Sequence, residues 1–158
     1  MTHWKKLMNP NYLGAYAFEP GQEIVATIKS VGTELVTGEG GKQEECTVVH
    51  FTDTEIKPLI ANVTNCKTIA RLYGDYVEGW TGKPIILFTQ KVNAFGEMTD
   101  AVRIRSSKPP LCAECGAAIV PMNGKTYQEM ANYTKDKYGK ILCAKCATAA
   151  KQAKEAGN

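Results

Sequence analysis

Four cysteines near the C-terminus stand in two pairs. Cys112 and Cys115 lie in LCAECGAAIV, and Cys143 and Cys146 in ILCAKCATAA. Each pair is C-x2-C, and 27 residues separate the pairs. A two-residue spacer lets one tight turn present both sulfurs to one ion, and four thiolates satisfy a tetrahedral Zn2+. A site closed in this way leaves no position for water or substrate. The expected cofactor is therefore one structural Zn2+, which supplies folding free energy to a segment too short to build its own apolar core. A redox or disulfide pair is the competing chemistry. It is weakened by the presence of two C-x2-C pairs and by the lack of a thioredoxin-like βαβ pattern around either. Cys46 and Cys66 stand apart, one in a strand pattern and one in a helix pattern, and read as small buried hydrophobes.

Catalytic constellations are not evident. His3 and His50 are isolated from each other and from suggestive neighbours, and His50 in TVVHF reads as a strand residue with a hydrogen-bond partner. No GxxxxGK[ST], GxSxG or HExxH motif occurs. Asp53, Glu55, Asp75 and Glu78 are only loosely grouped. The expectation is a protein that is not an enzyme.

The elements that must position these residues divide at RIRSSKPPLCAEC. The two prolines fix φ and hold the preceding residues extended. The division gives a barrel-like unit over 1–106, a linker over 107–111, and a four-cysteine finger with a terminal helix over 112–158. Before the linker, EIVATIKSV (23–31) continues through TELV as a first strand, and EECTVVHF (44–51) follows the glycine-rich turn TGEGGK. KPLIANV (57–63) is a third strand. TNCKTIARLYG (64–74) has helical spacing, with Thr64 or Asn65 as N-cap and Gly74 as stop. KPIILFTQKV (83–92) and TDAVRIRS (99–106) flank NAFGEM as a hairpin. The order β-β-β-α-β-β is the connectivity of the OB-fold, a five-stranded, partly open Greek-key barrel with one helix between strands 3 and 4. The fold class expected is mainly β, with a zinc-ribbon-like or treble-clef-like finger appended. Within the finger, residues 124–139 read as partly helical, and the Ala- and Lys-rich stretch 146–157 as a terminal helix.

Charge is distributed unevenly. The chain of 158 residues has a formal charge of +3. Residues 1–108 hold twelve basic and twelve acidic residues, whereas residues 109–158 hold seven lysines and four acids. This is not the strongly basic balance of a protein that grips duplex DNA through many phosphates. No apolar run reaches the roughly 18–20 residues needed to span a bilayer, and the N-terminus has no apolar core of a signal peptide. The expected location is cytoplasmic, with reduced thiols and no membrane partner.

An OB barrel presents oligonucleotides to its strand 2–3 face and to the loops joining strands 1–2 and 4–5. Lys42 in the first loop can meet phosphate, and Phe95 at the tip of the second is placed to stack on a base. Strand alternation puts Arg103 and Arg105 on one face, and Lys91 and Lys29 are expected to complete a basic stripe with them. Trp80 and Tyr73 read as core closure. Tyr12 and Tyr16, ahead of the first strand, suit either an end cap or stacking.

The run KPLIANVTNCKTIARLYG…VEGWTGKPIILF…VRIR resembles small OB-fold proteins of tailed phages and prophages found beside replication and recombination genes. LCAECGAAIV…YTKDKYGKILCAKC is similar to zinc fingers at the ends of phage single-strand annealing and recombination proteins, where a YGK-x-LC-x-x-C run closes the metal site. Together the similarities cover about residues 9–148. The resemblance implies non-catalytic binding of single-stranded DNA, or of RNA, in phage DNA replication and recombination within a bacterial host. It implies no small-molecule substrate. Tail lysines Lys137, Lys140 and Lys145 would assist, and a replication or recombination protein is a further expected partner. The rival expectation is a protein-interaction module, a phage adaptor or inhibitor of a host protein, which the neutral charge of the first unit favours.

Overall fold

The computed structural model of the chain describes residues 11–37, 41–94, 96–121 and 125–157. It divides into two compact units, Met1–Ser107 and Lys108–Asn158. Among the described residues, no helix is long and apolar enough to cross a membrane.

The first unit is a five-stranded antiparallel sheet. Its strands are β1 (Ile24–Thr37), β2 (Gln43–Phe51), β3 (Leu59–Ile60), β4 (Pro84–Ala94) and β5 (Glu97–Ile104), arranged in the order β3-β2-β1-β4-β5. β1 serves both halves. Its first residues pair with β4, Ile24 opposite Leu87, and its later residues pair with β2, Val31 opposite Val49. The register shifts between Ile28 and Ser30, leaving Lys29 as the extra residue of a bulge. A bulge sharpens local twist, which lets one strand turn from one half-sheet into the other. In β4, Ile85, Ile86 and Leu87 are all fully buried. A strand covered on both faces reads as a continuous apolar run, and KPIILF is one.

Helix α1 (Val63–Tyr73) packs on this sheet. Asn62 caps it, accepting from the Asn65 N–H at 2.9 Å, and Gly74 ends it at φ +95°, a value that disfavours any side chain. The core gathers Ile28, Val49, Phe51, Leu59, Ile69, Trp80, Ile85, Leu87 and Ile104, with Leu13 and Phe18 packed against it. Burying each large aliphatic side chain contributes about 1.5–3 kcal/mol. Trp80 donates its indole N–H to the Gly74 carbonyl at 2.7 Å, and the Tyr73 hydroxyl donates to the Pro84 carbonyl.

The third strand is shorter than its sequence pattern predicts. It has two residues instead of seven: the Ala61 N–H still donates to the Thr47 carbonyl at 2.8 Å, and from Asn62, which already serves as helix cap, the chain leaves the sheet. β3 and β5 do not pair, so closure of a barrel is not seen and the sheet is open. At β5 a side chain stands where a strand would: Asn65 of α1 donates from Nδ2 to the Val102 carbonyl at 3.2 Å.

The second unit holds α2 (Tyr127–Tyr138) and α3 (Ala144–Ala156) behind a short hairpin closed by a Leu111–Ala118 bridge. Thr126 and Glu129 form a reciprocal capping box at the start of α2, and Gly139 ends it in the left-handed region at φ +77°. Cys112, Ile119 and Leu142 are buried together, packed by Tyr127, Met130, Tyr138 and Ile141. The buried Thr134 hydroxyl accepts the Leu142 N–H at 3.0 Å and so ties α2 to the approach of α3.

Candidate functional site

The hairpin and α3 bring the four cysteines to one point. In the hairpin, the Cys112 N–H donates to the Ala117 carbonyl at 2.7 Å, and the Gly116 N–H donates to the Cys112 carbonyl at 2.9 Å. Gly116 sits at φ +74°, so the chain can reverse directly after the second thiol. On the other side Cys143 is the N-cap of α3 and its sulfur accepts the Cys146 N–H at 3.5 Å. Ala113 N–H donates to the Ile141 carbonyl at 2.8 Å, which clamps the hairpin to the loop leading into α3.

The result is a cluster of Cys112, Cys115, Cys143 and Cys146 whose sulfurs all lie within 4.8 Å of one another. Cys115 and Cys143 sulfurs are 3.6 Å apart. Four thiolates around Zn2+ at ~2.3 Å in a tetrahedron stand about 3.8 Å apart, so the spacing fits a metal and is far too long for a disulfide. All six cysteines are free. Burial pushes the Cys112 thiol up. Backbone N–H groups of Cys115 and Cys143, and then the thiols of Cys146 and Cys115, outweigh burial and bring it down to about 6. Cys146 is pushed up to about 12, first by its hydrogen bonds with Cys143 and Cys112. The start of α3 adds the positive end of a helix dipole. Four soft donors of this kind suit a thiophilic divalent metal ion.

The cations expected on the sheet do not form one stripe. Arg103 lies opposite Phe88 in the β4–β5 register, and the Arg105 guanidinium sits 3.8 Å from the Phe88 ring centroid. Arg105 Nε also donates to Glu23 at 3.2 Å. Lys91 pairs with Asp100, three residues along β4 from Phe88, so the pleat turns it to the opposite face. Lys29 belongs to the bulge and lines a separate groove with Ser30, His50 and Thr54, where His50 Nε2 meets Glu34 Oε2 at 2.5 Å. Lys42 is exposed just before β2. Phe95 lies outside the described residues.

Phe88 is the aromatic that sequence reasoning passed over. Its signal was available: in KPIILFTQ it alternates with Leu87, which must face the core. Cys46 and Cys66 are half-buried instead of fully enclosed, and burial pushes the Cys66 thiol up. Lys140 is committed to Glu114. Tyr12 and Tyr16 are partly buried, the Tyr16 hydroxyl donating to the Tyr12 carbonyl at 3.1 Å. No family model matches the chain, and no curated protein or solved structure shows significant similarity to it.

Proposed function

We propose that the protein is a non-catalytic binder of single-stranded nucleic acid, built on an OB-like sheet with a treble-clef-like zinc finger. One observation carries the reading: Phe88 stands on the sheet face opposite the core, flanked by Arg103 in register and Arg105 at 3.8 Å. An aromatic ring offers any base a π-face, and adjacent guanidinium groups pair with phosphate or extend the stack. The strand order, with α1 between β3 and β4, supports the OB assignment, the barrel being open where β3 and β5 would meet. The hairpin cysteines and the helix-capping cysteine pair support the treble-clef assignment of the finger, with one structural Zn2+. Action in phage replication and recombination, in a host cytoplasm, rests on the resemblance given above.

Titration of fluorescent oligo-dT with the zinc-loaded chain tests this. Binding is expected to weaken with added salt. Absence of binding at low salt overturns the reading. A stoichiometric, nuclease-insensitive protein partner would then favour an interaction module, for which the neutral first unit is the supporting observation.

A further inference from the structure

We infer that the finger carries its own contact for the phosphodiester backbone of a single strand, in the groove between α2 and the C-terminal half of α3. This deepens the function proposed above and rests on it. The groove has a volume of about 250 Å3 and is lined by Lys137, Tyr138, Lys151, Lys154 and Glu155. Three lysines and a single acidic residue therefore border one concave space.

Tyr133 stands beside them, with 45% of its surface exposed. Lys137 Nζ donates to its hydroxyl at 3.1 Å, and Lys125 Nζ lies 4.7 Å from its ring centroid. Lys137 is also 5.4 Å from the Tyr138 ring. The positive field reaches the phenol. Tyr133 is held below its usual range first by the hydrogen bond from Lys137, then by the charges of Lys137, Lys125 and Lys151.

Like charges gathered in this way repel unless an anion enters. Lysine side chains resting on aromatic rings are also prepositioned for one. A phosphodiester backbone meets the lysines as point charges, and a neighbouring base can use the exposed Tyr133 ring. A bulky acidic protein surface would match the charge but has no group that needs the ring. Of the tail lysines expected to assist, only Lys137 belongs to the groove. Lys140 is bound to Glu114, and Lys145 does not line it.

The test compares full-length zinc-loaded variants binding oligo-dT and oligo-U across a salt series. Lys137→Gln with Lys151→Gln should weaken binding and make the log–log salt slope shallower by about 0.7 per lysine. Lys67→Gln with Lys135→Gln removes the same charge at exposed positions outside the groove and should leave the slope near that of the parent. Tyr133→Leu should weaken binding with no change in slope. Circular dichroism confirms that each variant retains its helices. Equal losses in the two lysine pairs, or no loss at Lys137 and Lys151, overturn the groove while oligonucleotide binding by the parent chain still stands. A parent chain that binds neither oligonucleotide overturns both readings. Preference between the two strands assigns DNA or RNA.

Discussion

Asn65 Nδ2 donates to the Val102 carbonyl across 37 residues of chain, at a point where a sheet hydrogen bond would otherwise be needed. Asn65 is 2% exposed and its Oδ1 has no partner among the described residues. A helix side chain thus replaces one rung between β3 and β5, at the expense of one buried acceptor left unpaired.

Asn65→Ala should therefore destabilise the first unit by about 1–3 kcal/mol, since the Val102 carbonyl loses its donor in a dry setting. Asn65→Asp should be worse at neutral pH, because a carboxylate would face that carbonyl. Urea unfolding followed by Trp80 fluorescence measures both. Equal stability of the alanine variant would show that Val102 finds another donor.

The Phe88 cluster predicts a split among cations that composition alone would treat as equivalent. Phe88→Ala should cost about 1–3 kcal/mol of oligonucleotide binding, the worth of one stacked base. Arg105→Lys keeps the charge but loses the planar fork over the ring, and should weaken binding more than Lys91→Gln does. Lys91 faces the other way and is opposite Asp100. Fluorescence anisotropy at fixed salt decides the order.

Removing the metal should melt the finger and spare the sheet. Cys143→Ser with Cys146→Ser, or chelation of the parent chain, should abolish helical signal from α2 and α3 while Trp80 stays buried. Cobalt(II) titration should saturate at one equivalent with a thiolate charge-transfer band, and the double variant should lack it.

The four-cysteine cluster was legible in the sequence because thiol spacing is a local property: two residues between sulfurs, and a glycine after the first pair. The strand count and helix position were legible for the same reason, since alternation and capping residues act over a few positions. Four features were not. The bulge at Lys29 depends on how β1 bends between two partners. The short β3 depends on Asn62 being captured by the helix. The separation of Lys91 from Arg103 and Arg105 depends on cross-strand register, which no single strand encodes. The finger groove depends on two helices meeting, and its lysines are Lys137 of one and Lys151 and Lys154 of the other.

The open seam also bears on self-association. With β3 and β5 outermost, a second copy has a strand to add to. An antiparallel pairing of two β5 strands centred on Met98 and Thr99 would set Glu97 of each copy against Asp100 of the other. Like charges directly opposite disfavour that ladder, and the one carbonyl nearer the core, at Val102, is already taken by Asn65. Glu97 and Asp100, two of the twelve acids that balance the twelve basic residues of the first unit, thus set like charge against like charge along this exposed edge.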